Sequence, residues 1–293
     1  MTRTALFSTR SSGLAALLLA VLMVFSSGCL LDNAPSDDTY RVMTFNIRWA
    51  SPGDGDNIWE NRSEWVSSII DSSGADLVGL QEVTHGQLLD IMGGQTRFEH
   101  VGVGRDDGAQ NGEYSPILFD TQRFMLIEWD TKWLSTAPDS VGSVGWDAAL
   151  PRIATRAVLK DRTTGDTLHV INTHFDHRGE QARLESARLI AEWAASGGIA
   201  MGDFNFEPET GPWQAIVTSG LVDAGLSASD PDDEAGTFRT FDPASDTSVR
   251  IDYVFHSPAW QTASYRVLDP VRAGAYPSDH LPVVVDLVPF KLP

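Results

Sequence analysis

Cysteine is all but missing from this chain: Cys29 is the single one in 293 residues, so no disulfide can close within it. Basic side chains are scarce as well. Lysine and arginine together number 21 against 40 acids, a formal charge of −19, and a surface of that sign repels polyanions. Non-specific binding to nucleic acid draws most of its strength from Lys and Arg neutralising phosphates, so long DNA or RNA is a poor default partner without a basic cleft or bound cations. The blander role for the acids is to keep the chain soluble. Apolar residues are in good supply: at 42% hydrophobic with nine Trp, the chain can bury one large core or two small ones.

The only long apolar run lies at the N-terminus. Arg3 and Arg10 precede an apolar stretch over residues 14–25, which ends in Ser26, Ser27, Gly28 and Cys29. It is too short to span a bilayer comfortably and reads as a signal peptide over residues 1–28. The tetrapeptide resembles a bacterial lipobox, in which the Cys becomes the lipidated first residue, although Ser26 stands where Leu or Val is usual. The alternative is an ordinary secreted protein cut nearby. Residues 29–39 then form a polar tether, and one domain fills residues 40–293, expected to be exported, monomeric and held to a membrane through its lipid, in the periplasm or at the cell surface.

Within the domain one pattern occurs twice. Residues 40–46 read as a strand ending at Asn46, residues 59–71 as a helix and residues 76–82 as a second strand ending at Glu82. On the helix Trp65, Val66, Ile69 and Ile70 form the apolar stripe, while Glu60, Arg62 and Glu64 take the wet face. Residues 168–174 repeat the first strand and end at His174; residues 181–195 repeat the helix, with Ala187, Ile190 and Ala194 on one stripe; residues 198–205 are a buried strand delivering Asp203 and Asn205. In α/β proteins ligands gather at the carboxyl ends of strands. Two such units packed sheet against sheet bring five polar side chains to one rim. Strands are also expected at residues 114–120, 123–129, 152–160 and 249–255, and a short helix at 213–219 before an acidic loop at 230–234. In the last element, residues 278–287, Asp279 and His280 precede the apolar strand, so an antiparallel strand places them on the same rim.

Glu82, Asp203, Asp252 and Asp279 are carboxylates set beside apolar strand residues, where an unpaired charge is costly. Something positive belongs among them. Without Cys ligands and with few His, oxygen donors favour Mg²⁺ or Mn²⁺ over Zn²⁺. Such an ion beside two His and two Asn suits phosphoryl transfer.

The segments Thr44-Phe45-Asn46, Leu80-Gln81-Glu82, Asn172-Thr173-His174, Gly202-Asp203-Phe204-Asn205, Arg250-Ile251-Asp252-Tyr253 and Ser278-Asp279-His280-Leu281-Pro282 together resemble the endonuclease/exonuclease/phosphatase superfamily. That superfamily includes pancreatic-type DNases, abasic-site endonucleases, neutral sphingomyelinases, inositol polyphosphate phosphatases and deadenylases. Further stretches at residues 53–62, 102–108, 112–120, 132–138 and 145–158 resemble a bacterial subgroup. The likeness implies a four-layer α/β sandwich, with two mixed β-sheets face to face and helices outside. It also implies roles. Glu82 is the principal metal ligand, with Asn46 and Asp279 beside it. Asp203 aligns the attacking water and Asn205 holds that water or the phosphate. His280 stabilises the transferring phosphoryl group, with Asp252 fixing its tautomer. His174 grips the phosphate from the other side, with Glu113 as its acidic partner.

Other residues carry two readings each. Asn46 alone could simply end a strand. Asp176 and His177 are a loop edge before they are a second metal site. Trp133 and Trp146 could stack a base or sugar, but Trp is more often core. Arg62, Arg105 and Arg152 could clamp a second phosphate or form surface salt bridges. The sequence thus supports a metal-dependent phosphoesterase acting on a small or glycan-linked phosphomonoester or phosphodiester. The alternatives are a secreted nuclease, which needs a basic cleft, and a lipid-anchored binding module without turnover. For the N-terminus, cells fed an alkyne-tagged palmitate should label the wild-type protein and leave Cys29→Ala unlabelled; equal labelling excludes the lipid anchor.

Overall fold

The computed structural model describes residues 38–229 and 236–290. The signal peptide, Cys29, nearly all of the tether and the acidic loop at 230–234 lie outside the described residues. Twelve strands form two six-stranded sheets. The first sheet runs β11 (Trp260–Val267), β12 (Val283–Pro289), β1 (Tyr40–Asn46), β2 (Leu77–Gln81), β4 (Ile117–Asp120), β3 (Phe98–Val101). The second runs β5 (Phe124–Trp133), β6 (Ile153–Asp161), β7 (Thr167–His174), β8 (Ile199–Asp203), β10 (Asp252–His256), β9 (Val222–Asp223). Each is mixed: β1–β2 and β7–β8 are parallel, and the remaining pairs are antiparallel.

The parallel pairs are the two repeated units. Helix α1 (Trp59–Ser72) crosses from β1 to β2, and α3 (Glu180–Ala194) crosses from β7 to β8. Helix α2 (His85–Gly94) packs with α1 and opens on a capping box: Gln87 N–H donates to the Thr84 hydroxyl, and the Gln87 side chain accepts from Thr84 N–H. Three cores define the layers. One lies between the sheets and contains Tyr40, Val42, Leu77, Val170, Ile199, Met201 and Val254. A second lies under α1 and α2 and contains Met43, Phe45, Val66, Ile70, Val78, Leu80 and Leu88. The third lies under α3 and α4 (Gly211–Val217) and contains Ile171, Ala187, Ile190, Ala200, Tyr253 and Phe255. The four-layer sandwich follows directly from period-two strands that are buried on both faces.

That alternation also positions the site. Along the inward face of β1 come Tyr40, Val42, Thr44 and Asn46, and along that of β7 come Leu168, Val170, Asn172 and His174. Each strand changes from apolar to polar as it approaches the same rim. At the change, Asn172 of β7 reaches across to the other sheet. Its side-chain N–H groups donate to the carbonyls of Leu80 (2.7 Å) and Pro116 (2.8 Å), and its oxygen accepts from Gln81 Nε2 (2.7 Å). Gln81 in turn donates to the Thr44 hydroxyl at 3.0 Å. Gly79 makes room for this contact, since a Cβ there would lie 2.7 Å from Asn172 Oδ1 and 2.9 Å from Met201 Cε.

Several boundaries differ from the sequence reading. β4 starts at Ile117, because Pro116 and the Tyr114 bridge to Val83 precede the ladder. β5 runs on to Trp133, β10 starts only at Asp252, and β12 starts at Val283 after a turn that holds Asp279 and His280. Strands β3 and β11 and helix α2 had no clear signal. Arg62 corrects the expected wet face of α1. It is buried, and its guanidinium donates to the carbonyls of Ile47, Arg48, Trp49, Asn57 and Pro277. The loop after β1 is drawn over the helix by these bonds, so a residue that looks solvent-facing by periodicity is covered. Replacing Asn172 with Leu removes three buried hydrogen bonds at once, although the Pro116 carbonyl keeps the Leu80 N–H and Gln81 keeps the Thr44 hydroxyl. It should lower the unfolding free energy by roughly 3 kcal/mol or more, measured by urea denaturation, whereas a change within about 0.5 kcal/mol would show that the bridge contributes little.

Candidate active site

Strand register brings the acids and histidines together. In β7–β8–β10, His174 pairs with Asp203 and Asp203 with Asp252, so the three side chains stand in a row on the inward face. Facing them from the other sheet, Asn46 at the end of β1 donates from Nδ2 to Asp203 Oδ2 (3.0 Å) and Glu82 Oε1 (3.1 Å). Glu82 follows β2 with φ of 60°, Asn205 follows β8 with φ of 50°, and Arg48 has φ of 58°. Three non-glycine residues in the left-handed region at one rim mark backbone held by its surroundings rather than by local preference. The turn at Glu82 directs its carboxylate inward, where Oε2 accepts from Trp49 N–H at 3.0 Å.

His280 arrives from the turn before β12. The Ser278 hydroxyl donates to the Asn46 carbonyl (2.7 Å), His280 N–H donates to that hydroxyl, and the Phe238 ring packs edge-on against the imidazole. His280 Nδ1 lies 2.9 Å from Asp252 Oδ2, and its Nε2 lies 3.8 Å from Asp203 Oδ2. His174 Nε2 lies 3.4 Å from the same Asp203 oxygen. Asn205 is fixed by its N–H to Asp203 Oδ1 and by its side chain to the Phe175 carbonyl.

A cavity of about 480 Å³ opens over these groups, lined among others by Glu82, Asp203, Asn205, Asp279 and His280. Asp252 stands behind His280. Glu113 lines the cavity wall, but both its oxygens accept from Arg105 (2.7 and 2.8 Å), leaving His174 Nδ1 at 3.8 Å without a hydrogen bond. Glu113 therefore sits beside His174 as an electrostatic neighbour and not as its acceptor. Asp176 is an interior loop anchor that accepts from Ala149, Arg178 and Gly179 N–H, and Trp133 is buried with its indole N–H on the Arg105 carbonyl.

Burial governs the ionisation. It lowers the affinity of His280 for its proton, but the negative neighbours Asp252 and Asp203 outweigh it and hold the ring well above the usual histidine range. His174 goes the other way: burial, with Arg152 and Arg105 nearby, keeps it well below that range and so neutral. Burial and the Asp252 charge push the Asp203 carboxyl up, and burial raises Asp279. The two histidines are thus split into one cation and one neutral ring by their surroundings.

Crowded, raised carboxylates invite a cation. Asp203, Asp252 and His280 present ligand atoms within 4.8 Å of one another, but His280 Nδ1 and Asp252 Oδ2 are 2.9 Å apart and engaged with each other. Glu82 and Asp279 are the better fit: both line the cavity, and Arg48, the one guanidinium within 4.0 Å of Asp279 among the described residues, is bound bidentate to Asp54. An all-oxygen set of this kind suits a hard divalent ion.

Two sheets with a carboxylate, a neutral histidine and a charged histidine converging at one rim define the phosphoesterase class of α/β sandwich. The chain matches the Endonuclease/Exonuclease/phosphatase family over residues 43–280 and belongs to that family, whose members are hydrolases of phosphoesters. It is similar to an endonuclease/exonuclease/phosphatase family protein of Bacteroides thetaiotaomicron, at 36% identity over 87% of this chain and 98% of that one, with a TM-score of 0.82. A mannosyl-6-phosphatase of the same organism gives 36% identity over 85% and 99%, with a TM-score of 0.81. Nocturnin of Drosophila melanogaster is 24% identical over 78% of this chain, which spans 42% of that protein's length.

Sequence reasoning missed Trp49, whose backbone N–H grips Glu82, as well as Leu150 and Phe238, which line the cavity. None of them carries a chemical signature; they come into place through loops. Mg²⁺ or Mn²⁺ at a hundredfold excess over its Kd should stabilise the protein by about 2.7 kcal/mol, read as a rise in melting temperature, and Glu82→Gln should abolish that rise. An unchanged rise in the variant would move the ion elsewhere.

Proposed function

We propose that this protein is a divalent-cation-dependent phosphoesterase, exported from the cytoplasm, that hydrolyses a phosphate ester on a compact polar substrate of sugar size. The carrying observation is the convergence of Asn46, Glu82, His174, Asp203, Asn205 and the Asp252–His280 pair on one cavity. Mannosyl-6-phosphatase activity in a relative of 36% identity supports a sugar phosphate. At the mouth, Trp49 and Leu150 remain partly exposed and offer an apolar edge to a sugar ring. A nuclease is less well supported, because the cavity carries Glu82, Glu113, Asp203 and Asp279 against Arg48 and Arg152.

In this reading Glu82, with Asp279 and Asn46, holds Mg²⁺ or Mn²⁺. The bound ion supplies charge neutralisation of the phosphate oxygens. Asp203 aligns a water for attack on phosphorus and accepts its proton, a task suited to a carboxyl whose proton affinity burial has raised. As the new P–O bond forms and the ester P–O bond breaks, charge builds on the non-bridging oxygens. Protonated His280 faces that charge through Nε2, while Asp252 keeps Nδ1–H in place. Neutral His174 and the Asn205 amide hold the phosphoryl group from the β7–β8 side.

Asp203→Asn should lower kcat/KM on mannose 6-phosphate with Mg²⁺ by roughly a thousandfold or more, as should a chelator on the wild type. Activity unaffected by both would defeat the phosphoesterase reading. Asp252→Asn removes the charge that keeps His280 protonated, so the alkaline limb of the pH–rate profile should move down by about 1 to 2 pH units; an unmoved limb means another group sets it.

A further inference from the structure

Four arginines stand at or behind the cavity, and three are held by strong partners, although Arg105 Nε has no hydrogen bond. Arg48 is bidentate to Asp54, Arg105 is bidentate to Glu113, and Arg62 is spent on five backbone carbonyls. Arg152 is different. It lines the cavity and its side chain is only 5% exposed. Its Nη2 lies 2.9 Å from His177 Nδ1, its Nη1 has no partner, and its Nε is 3.4 Å from Asp176, a long contact. Asp176 has already committed its oxygens to the N–H groups of Ala149, Arg178 and Gly179. A buried guanidinium so poorly matched is costly. Burial and the Arg105 charge both work against its ionisation, and an anion arriving in the cavity would offset them.

The uncommitted charges stand on opposite walls. Glu82 and Asp279 lie on one side with Arg48, which is tied to Asp54, and Arg152 lies on the other with the neutral His174, with His177 and with Glu113, which is tied to Arg105. A phosphodiester monoanion has two non-bridging oxygens, which the cation at Glu82 and protonated His280 can serve between them. A phosphomonoester has a third oxygen and a second charge. We propose that Arg152 receives this third oxygen and so biases the cavity toward phosphomonoesters over phosphodiesters. The proposal deepens the phosphoesterase reading and rests on it for turnover; anion binding by Arg152 stands apart from turnover.

The test compares wild type, Arg152→Met and Arg152→Lys on p-nitrophenyl phosphate and bis-p-nitrophenyl phosphate with Mg²⁺, together with inhibition by inorganic phosphate. Arg152→Met should lose about a hundredfold in kcat/KM on the monoester but less than about tenfold on the diester, and inhibition by phosphate should weaken in step with the monoester loss. Equal losses on both esters, or a larger loss on the diester, would overturn it. Where melting curves show that Arg152→Met does not fold, Arg152→Lys carries the comparison: it keeps the charge but not the planar fork, and should show the same order of losses. If the wild type hydrolyses neither ester, the phosphoesterase reading fails by itself. Calorimetry with inorganic phosphate then decides: binding by the wild type that is lost in Arg152→Lys or Arg152→Met supports the Arg152 pocket, and binding that is absent or unchanged overturns it.

Discussion

The polar bridge between the sheets, Asn172 to Gln81, Leu80 and Pro116, is the contact on which the rest of the molecule depends. Apolar packing alone leaves two sheets free to slide by small amounts. Hydrogen bonds in a dry interior are directional, and costly to break once formed. Two residues beyond Asn172, Thr44 and Met201 lie His174, Asn46 and Asp203, and one beyond Gln81 lies Glu82. The bridge therefore sets the distance across which Asn46 of one sheet meets Asp203 of the other at 3.0 Å. Register does the remainder, because a one-residue slip in β7 or β8 would turn His174 or Asp203 to the helix side.

Charge is arranged with the same economy. Asp252 holds a proton on His280, whereas burial, aided by Arg152 and Arg105, keeps His174 neutral, so two imidazoles a few ångströms from one carboxylate serve different purposes. The left-handed backbone at Arg48, Glu82 and Asn205 is the local cost of turning side chains back over the strand ends. Strain of this kind persists only where neighbours overdetermine it. Here the neighbours are Arg62 behind the first loop and the N–H of Trp49 on Glu82.

Much of this was legible in the sequence. The repeated strand-helix-strand unit and the polar residue at each strand end follow from period-two runs that stop at Asn46, Glu82, His174 and Asp203, and the two face-to-face sheets from the motifs' resemblance to the family. Where local pattern and tertiary contact disagreed, the sequence misled. Arg62 sits on the polar stripe of α1 by spacing, yet a loop covers it. Glu113 looks like a partner for His174, yet Arg105, eight residues before it, takes both its oxygens. β3 and β11 are partly exposed edge strands with weak signals, and the cavity wall at Trp49, Leu150 and Phe238 comes from loops whose course no periodicity describes.

A single diffraction measurement would settle where the cation belongs. Crystals soaked in Mn²⁺ should give an anomalous peak about 2.1 to 2.2 Å from a Glu82 oxygen, with Asp279 and Asn46 around it. A peak seated instead between Asp203, Asp252 and His280, or no peak in the cavity at all, would contradict the division between an acidic metal wall and a hydrogen-bonded aspartate–histidine pair.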